Sequence, residues 1–544
     1  MGWKNRLVER GKQIAMTPRV LRMLSDDRVM RAAEGVMDAR TRMRAAAQKA
    51  GEAWQVLVQG HALPAIDPSI VDDVDLPDGK IRIEPGDNDH TNGNGENGAA
   101  TNGHGAHVKT NGHANGHAAS DTHGGAAGRE LAASMAVRTS LSAIGGRDVF
   151  EKAFQFQAAD NARKMGVYPF FRPLDLNDGP EAILEGRRVT MFGSNNYLGL
   201  TTHPKVREAA SQAIAKFGTS MTGSRLVNGS MKLHNQLEEK LAAFHGKESA
   251  LVFTTGYQVN LATISALLSN KKCVAVIDRN DHASIYDGVR LSQAVGSRMV
   301  RYKHNDPESL DRTLSELAPD EGAFVITDGV FSAEGEIARL PELAAVVKKH
   351  GARMFVDDAH ALGVIGPSGR GTAAHFGIAD QIDLMGGTFS KSLASIGGWL
   401  VGERKVLDYI QHFASSFMFA ASAAPPCVAA AMAALDVMQE ETWRIDQLRK
   451  NYTYMREELK GMGFDVGHSE TAVIPVYVRQ DLRTIMMWKE LLDVHGIYTN
   501  PFISPGVPPK QAMLRTSYMA THTKEHLDRG LEAFRATGKK FGVI

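Results

Sequence analysis

Short apolar runs alternate with helix-like segments from about residue 150 onward. The runs are short, rich in β-branched and aromatic residues, and bounded by polar or glycine positions, which is typical of buried strands. They are ALVFTT (250–255), CVAVID (273–278), RMVRYK (298–303), AFVITD (323–328), MFVDDA (354–359), DLMGGTF (383–389) and GWLVGE (398–403). Helical spacing occurs between many of them, as in PELAAVVKKHG (341–351). The alternation predicts βα units, and hence an α/β fold with a mostly parallel central sheet covered by helices on both faces.

The pattern changes again at both ends of this region. After about residue 425 the chain is helix-rich and then strand-like (TAVIPVYVR), which predicts a smaller C-terminal α/β domain. We therefore divide the chain into an N-terminal helical extension (1–75), a low-complexity disordered linker (76–130), an N-terminal arm of the core (131–195), a large domain that contains the predicted central sheet (196–425) and a small C-terminal α/β domain (426–544).

The helical extension has apolar residues near helical spacing, and basic residues outnumber acidic ones in its first fifty positions. One interpretation is a basic amphipathic helix that touches membrane lipid or an acidic carrier protein. The other is a helix that packs on the main body with a solvated charged face. The linker contains three Asn-Gly-His triplets. A Gly- and Asn-rich chain offers no fixed geometry for metal ligands, so we predict disorder and no metal site.

Composition excludes several classes of function. The 544 residues carry a formal net charge of +1, which gives no general attraction to nucleic acid. The two cysteines, Cys273 and Cys427, fit neither a disulfide framework nor a metal site, so we expect a reducing cytoplasm. We find no apolar run long enough to span a membrane and no signal peptide. Contact with the inner membrane would therefore be peripheral, through the N-terminal helix.

Polar residues stand just beyond several of the predicted strands. Gly256 and Tyr257 begin a segment whose helix N-terminus is suited to a phosphate, and His282 follows the next strand. Three later predicted strands also end in polar residues. Ser332 lies beyond the first of them, Asp357, Asp358 and His360 lie at the end of the second, and Thr388, Ser390 and Lys391 lie at the end of the third. Because the carboxyl ends of parallel strands meet at one edge, these groups are expected to share a site.

A strand that ends in Asp357, with Lys391 34 residues later beyond another strand, suits one cofactor. Pyridoxal phosphate needs a lysine for a Schiff base and a carboxylate that keeps its ring nitrogen protonated. A partly desolvated lysine has a lowered pKa, which favours both attachment of the cofactor and later proton transfer. The small residues around Lys391 would leave room for cofactor and substrate.

Six stretches, in order and at family-like spacing, resemble the α-oxoamine synthases, fold-type-I pyridoxal phosphate enzymes that condense an amino acid with an acyl thioester and release CO2. They are MFGSNNYLGL, DHASIYDG, TDGVFSAEGEIARLPEL, VDDAHALGVIGPSGRG, GTFSKSLASIGG and MLRTSYMATHT, and the resemblance covers roughly residues 150–540. It implies a homodimer with sites at the interface.

The resemblance also implies a role for each site residue. Lys391 would be the Schiff-base lysine and Asp357 the partner of the pyridine nitrogen. His360 would form a hydrogen bond with the phenolic oxygen of the cofactor. His282 would stack on the cofactor ring and help to orient the substrate carboxylate. Ser332, Thr388 and Ser390 would contact the cofactor, and Gly256 and Tyr257 its phosphate. The substrate carboxylate would be received by Asn195 and Arg515, because an arginine binds a carboxylate through two hydrogen bonds.

One stretch departs from the family. FAASAAPP has Ala421 where members often place a threonine that reaches the neighbouring subunit's phosphate, and retains only Ser422. That contact across the dimer is therefore in doubt.

The substrates are harder to predict. Several motifs are most similar to the bacterial serine palmitoyltransferase branch, which implies L-serine and a long-chain acyl thioester on CoA or acyl carrier protein. Glycine C-acetyltransferase and 8-amino-7-oxononanoate synthase remain the alternatives. In HFASSFMFAAS, aromatic and Met side chains would line an acyl tunnel or belong to the ordinary core. A regulatory or scaffold homologue without activity is the remaining possibility, although such a subunit would be expected to lose the lysine.

Overall fold

The computed structural model describes residues 148–544. The predicted helical extension and linker, and the first part of the predicted arm, lie outside the described residues. Within 148–544, no helix is both long enough and apolar enough to cross a bilayer.

Fourteen strands occur within the described residues. They are β1 Leu176–Asp178, β2 Glu181–Leu184, β3 Arg187–Met191, β4 Ser249–Phe253, β5 Cys273–Asp278, β6 Arg298–Tyr302, β7 Gly322–Asp328, β8 Arg353–Asp357, β9 Leu384–Thr388, β10 Gly398–Gly402, β11 Val473–Tyr477, β12 Ile497–Tyr498, β13 Asn500–Phe502 and β14 Met513–Ser517.

Helices separate most of these strands. They are α1 Glu151–Phe154, α2 Ala158–Lys164, α3 Pro204–Phe217, α4 Lys232–His245, α5 Gly256–Leu267, α6 Ala283–Gln293, α7 Pro307–Ser315, α8 Leu340–Lys349, α9 Thr372–His375, α10 Arg404–Phe413, α11 Ser415–Met418, α12 Pro425–Glu440, α13 Trp443–Gly461, α14 Asp481–Asp493 and α15 Lys524–Lys540. Local signals set some of their ends. Helix α7 begins with Pro307, and the Asp306 side chain accepts a hydrogen bond from Ser309 N at 2.9 Å.

The central sheet has the strand order β4-β10-β9-β8-β7-β5-β6. Strand β10 is antiparallel to both neighbours, and the other neighbouring strands pair in parallel. All seven strands predicted from the apolar runs are present in this one sheet, and the predicted fold class is confirmed.

The sheet is buried on both faces, as its continuous apolar strands require. In β5, Val274 and Val276 pack into one hydrophobic cluster, and Ala275 and Ile277 pack into another. Successive residues of a strand point to opposite faces, so the two clusters are the two helix-covered layers. This burial leaves the strand ends as the part of the sheet that can host polar chemistry.

Two small sheets complete the fold. Strands β11, β14 and β13 form an antiparallel sheet in the C-terminal region, and β14 supplies Arg515. Strands β1, β2 and β3 form a sheet with β12, which pairs in parallel with β3. The segment before residue 195 is thus joined to the C-terminal region rather than to the central sheet.

Candidate active site

Lys391 lies just beyond β9, next to the strand that ends in Asp357. Strands β8 and β9 pair so that Asp357 stands opposite Gly386. Burial lowers the pKa of Lys391 to about 8, with Asp357 and Asp328 opposing the shift and Arg515 adding to it. Among residues 148–544 the amine makes no hydrogen bond or ion pair. Lys391 therefore offers an unengaged amine that loses its proton more easily than an ordinary lysine.

Asp357 is held in place by two donors. Its Oδ2 accepts a hydrogen bond from Asn260 Nδ2 at 2.7 Å, and its Oδ1 accepts one from Ala359 N at 3.0 Å. Only 7% of Asp357 is exposed. A carboxylate fixed in this way is suited to holding a protonated ring nitrogen.

His282 caps the N-terminus of α6 from the end of the neighbouring strand β5. Its Nδ1 lies 2.7 Å from Ser284 Oγ and accepts from Ser284 N at 3.3 Å. The ring is exposed on one side, where Tyr257 approaches edge-on with 6.4 Å between ring centroids. Burial of the remaining surface lowers the pKa of His282, Asp357 opposes this, and Lys391 adds to it.

His360 lies in the turn after β8 and contacts Tyr197. The Tyr197 hydroxyl is 2.7 Å from His360 Nδ1 and 3.3 Å from Asn195 Oδ1. Burial, with Lys391, Arg515 and His282 adding to it, lowers the pKa of His360 well below its usual value. The ring is therefore neutral at physiological pH.

Arg515 reaches into the same site from β14. Its guanidinium donates to Ser332 O at 2.7 Å and to Asn195 Oδ1 at 3.0 Å. Only 4% of Arg515 is exposed, and within the described residues it forms no salt bridge. Taking a cation out of water costs free energy when all of its partners are neutral, so this position favours an anionic ligand.

The N-terminus of α5 meets the end of β9. A Cβ added to Gly256 would lie 2.6 Å from Thr388 Cβ, so only glycine fits against this side chain. Thr388 Oγ1 is 2.8 Å from Ser390 Oγ and accepts from Ser390 N at 3.1 Å. The N–H groups in the first turn of a helix have no acceptor within it, and together with these hydroxyls they suit a phosphate.

The structure also places the residues that depart from the family pattern. The carbonyl of Ala421 accepts a hydrogen bond from Thr254 Oγ1 at 3.0 Å, and Ser422 N donates to Gly223 O at 3.0 Å. Thr254 follows β4, so this stretch lies beside the sheet end that carries α5. Nearby, Phe417 is buried in the core, whereas Phe413 and Phe419 are exposed. The aromatic stretch is thus divided between core and surface.

Several neighbours of the site were not predicted from the sequence. Asn260 holds Asp357, Ser284 contacts His282, and Tyr197 contacts His360. Tyr197 and Ser284 lie within stretches that resemble the family, so their position was a usable signal. No sequence signal pointed to Asn260. An amide on a mostly apolar helix shows its role only when the packing of that helix against β8 is known.

Further acids lie behind the site. Burial and neighbouring carboxylates raise the pKa values of Asp281 and Asp328 well above the usual range. Desolvation opposes protonation of His304, but its hydrogen bond with Asp278 and its ion pair with Glu336 outweigh this effect and raise its pKa to about 10. His304 therefore supplies a positive charge among these carboxylates.

A cleft of about 1190 Å³ lies elsewhere, between the loop at 364–368 and one face of α13. None of the predicted site residues lines it. Size alone therefore does not locate the chemistry of this protein.

The residues at the strand ends fit pyridoxal phosphate. Lys391 supplies an unengaged amine, Asp357 a fixed carboxylate, and Gly256 a close approach of backbone to Thr388 that any larger residue would fill. The structure brings His282, His360, Asn195 and Arg515 into the same neighbourhood through hydrogen bonds and mutual electrostatic effects. Ser332 joins them through its backbone carbonyl.

Comparisons with known proteins agree with this geometry. A family model described as aminotransferase class I and II matches residues 187–534. Serine palmitoyltransferase of Sphingobacterium spiritivorum is 43% identical over 382 residues, 70% of this chain and 94% of that protein. The 8-amino-7-oxononanoate synthase of Thermoanaerobacter pseudethanolicus is 39% identical over 386 residues, 71% of this chain and 96% of its own length.

Comparison with solved structures also finds similarity to serine palmitoyltransferases. A serine palmitoyltransferase variant from S. paucimobilis, with a bound PLP–myriocin aldimine, superposes with a TM-score of 0.70 at 35% identity. The alignment covers 73% of this chain and 100% of that one. The range matched by the family model contains every predicted site residue, from Asn195 to Arg515.

Proposed function

This chain belongs to the aminotransferase class I and II family and, within it, to the α-oxoamine synthases, and we propose that it condenses L-serine with a long-chain acyl thioester. The reaction forms a carbon–carbon bond, releases CO2 and the thiol, and leaves an α-amino ketone similar to 3-ketosphinganine. The observation that carries this proposal is an unengaged amine, Lys391, in one site with a buried cation that lacks a counter-ion, Arg515.

Lys391 would hold pyridoxal phosphate, and Asp357 would keep the ring nitrogen protonated. When bound, this cofactor supplies an electron-withdrawing ring that stabilises negative charge on the substrate Cα. Thr388, Ser390 and the first turn of α5 would bind its phosphate, and His360 its phenolic oxygen. His282 would pack on the ring face.

Arg515 and Asn195 would bind the carboxylate of the amino acid. The guanidinium already donates to Asn195 Oδ1, so both side chains converge on one point. Binding there would give the buried cation its counter-ion and fix the orientation of the Cα substituents.

Lys391 would move the Cα proton. Its pKa of about 8 lets Nζ accept a proton near neutral pH and return it later in the cycle. The site must also exclude water while charge is present on Cα, so closure around the acyl chain is part of the proposal.

The long acyl chain is supported by the identity with serine palmitoyltransferases and by exposed aromatic side chains near Ala421. Phe413 and Phe419 are 61% and 72% exposed, and Phe413 stacks on Tyr409. Glycine with an acetyl group and alanine with a pimeloyl group are the alternative substrate pairs, since 8-amino-7-oxononanoate synthases also match.

The proposal includes a homodimer, supported by apolar side chains exposed before residue 175. Phe154 and Phe171 are 77% and 93% exposed, and Phe171 also has a positive φ of 54°. Exposure of this kind on a single chain indicates a contact surface. The acyl donor would be carried by CoA or acyl carrier protein. The basic N-terminal extension would either pack on the main body or dock to that carrier or to the membrane surface.

The test is a product assay with the purified full chain and added pyridoxal phosphate. L-serine, glycine and L-alanine are each paired with palmitoyl-, acetyl- and pimeloyl-CoA, and the ketone is identified by mass spectrometry. We expect product from serine and palmitoyl-CoA, with release of CO2. Product from glycine or alanine alone would overturn the serine assignment.

Two variants separate an enzyme from a scaffold homologue. Lys391→Ala should abolish the absorption band of attached cofactor and all product, whereas Lys405→Ala, at the start of α10, should change neither. A wild-type chain that binds the cofactor yet forms no ketone with any pair would instead favour a regulatory role.

A further inference from the structure

A chain of hydrogen bonds connects Asp357 with His282 through two side chains that have no assigned role. Asn260 Nδ2 is 2.7 Å from Asp357 Oδ2 and 2.8 Å from Ser284 Oγ, and Ser284 Oγ is 2.7 Å from His282 Nδ1. Asn260 and Ser284 are 2% and 1% exposed, so water does not compete for these contacts.

The direction of each hydrogen bond follows from the donors available. A carboxylate only accepts, so the amide group of Asn260 that faces Asp357 is NH2, and its second hydrogen is directed at Ser284 Oγ. Ser284 Oγ thus accepts from Asn260, and its own hydrogen is free to be donated to His282 Nδ1. The Ser284 backbone N–H also points at Nδ1, at 3.3 Å.

This backbone N–H decides which nitrogen of His282 carries the proton. A hydrogen on Nδ1 would face the Ser284 N–H directly, whereas an unprotonated Nδ1 accepts from both donors of Ser284. We propose that Asn260 and Ser284 relay the fixed position of Asp357 to His282 and hold it as the Nε2–H tautomer, so that His282 presents a hydrogen-bond donor to the site. Burial also lowers the pKa of His282, which keeps the ring neutral.

The consequence concerns the substrate carboxylate. Carboxylate oxygens accept hydrogen bonds, so only the Nε2–H form of His282 complements them. Asn260 and Ser284 are therefore positioning residues that act through Asp357 and His282. The consequence for substrate binding rests on the proposed function, whereas the tautomer itself does not.

The experiment uses the full chain with pyridoxal phosphate and ¹⁵N-labelled histidine. Long-range ¹H–¹⁵N correlation spectra distinguish the two tautomers and the imidazolium, and His282→Gln identifies the signals of His282. At neutral pH we expect an unprotonated Nδ1 and a protonated Nε2. A proton on Nδ1, or on both nitrogens, in the wild-type chain would overturn the proposal without any variant.

Two variants then test the relay. Ser284→Ala removes the hydroxyl donor, and Asn260→Leu removes the link to Asp357. Both variants should move the two ¹⁵N shifts of His282 toward each other. Ser284→Ala should also raise KM for serine about fivefold, with a smaller effect on kcat, as expected for one lost hydrogen bond. Ser292→Ala is the control, since it removes a buried hydroxyl from the same helix outside the relay. Unchanged His282 shifts in both relay variants would show that the relay does not hold the tautomer.

The absorption band of attached cofactor is measured on the same samples. A chain with the expected tautomer and no such band would refute the proposed function and leave the tautomer standing. A chain with the band and a different tautomer would refute the relay alone.

Discussion

Lys391 owes its reactivity to its surroundings rather than to its neighbours in sequence. Burial takes its pKa from 10.5 to about 8, and the two nearby carboxylates, Asp357 and Asp328, limit the shift. The amine is therefore neutral above pH about 8 and protonated below it. Because only the neutral amine attacks an aldehyde, this balance would set how quickly the chain takes up pyridoxal phosphate if Lys391 holds it as proposed.

The uptake of the cofactor should consequently depend on pH. For a chain prepared without pyridoxal phosphate, we expect the rate of attachment to Lys391 to rise roughly tenfold between pH 7 and 9 and then level off. Asp357→Asn should move the midpoint to lower pH, because it removes a carboxylate that stabilises the ammonium. Stopped-flow absorbance measures both. A rate that keeps rising tenfold per pH unit beyond pH 9 would show that the amine is not desolvated.

His304 gives a second prediction at this scale. Its pKa is raised above the usual 6.5 to about 10, so its stabilising effect is complete below pH 6.5 and disappears as the pH rises through about 10. His304→Gln should lower the free energy of unfolding by about 3 kcal/mol near pH 6.5, as for other broken buried pairs, and by much less near pH 10. Thermal unfolding at both pH values measures this.

The control for that experiment is His412→Gln, which alters an exposed histidine on α10. It should leave the unfolding temperature unchanged at both pH values. An equal loss of stability at pH 6.5 and pH 10 for His304→Gln would contradict a charged imidazolium.

At the scale of elements, the strand ends were predictable and the contacts between elements were not. The apolar runs define seven strands correctly because a strand covered by helices on both faces is continuous in hydrophobicity, and this holds for the antiparallel β10 as well as for the parallel strands. The short strands β12 and β13 lack such runs. Strand β12 pairs with β3, which lies far away in the chain, and β13 pairs with the nearby β14. The contact of Asn260 with Asp357 is equally hidden, since it needs the packing of α5 against the sheet. The sequence thus predicts which strand ends carry the candidate site residues, whereas the packing of helices on the sheet decides which side chains form hydrogen bonds to them.

The contact between α5 and β9 is tight enough to test. Gly256→Ala would place a Cβ 2.6 Å from Thr388 Cβ and force the two elements apart. We expect overpacking to cost about 1–3 kcal/mol and to weaken binding of pyridoxal phosphate at least tenfold. Equilibrium titration followed by absorbance measures the binding.

Gly461→Ala provides the matched control, because a Cβ there meets nothing within 4 Å and Gly461 ends a helix without a positive φ. It should leave both binding and stability unchanged. Normal cofactor affinity in Gly256→Ala would mean that this approach of backbone to side chain is not part of the phosphate site.

At the scale of the whole molecule, the aromatic side chains exposed before residue 175 have no covering element among residues 148–544. Phe171 combines 93% exposure with a positive φ, and both features are costly unless a partner compensates for them. A homodimer that covers this surface accounts for both.

We expect light scattering to give twice the mass of one chain. Phe154→Asp combined with Phe171→Asp should shift the mass toward that of a monomer, and it should reduce turnover if the site lies at the dimer interface, as the resemblance to the family implies. Val494→Asp, at an isolated exposed position, should not change the mass. A monomeric wild-type chain with full activity would refute the dimer.

The N-terminal extension is tested by removing residues 1–130. If it is a docking module, turnover with soluble palmitoyl-CoA should stay the same, while binding to anionic vesicles or to acyl carrier protein should fall. A truncated chain that does not fold would instead assign this segment to the structure of the main body.

The hydrogen bond between Asn195 and Arg515 joins residues 320 positions apart. At about 5–20 residues per second, the ribosome releases these two partners roughly 15 to 60 s apart. For the last 124 residues of that interval, from Lys391 to Arg515, the nascent chain already contains β8, β9 and Lys391 but lacks the guanidinium that we propose receives the amino acid. In the proposed function, capture of the cofactor would thus not require Arg515, whereas binding of the amino acid would wait for the last sheet to be synthesised.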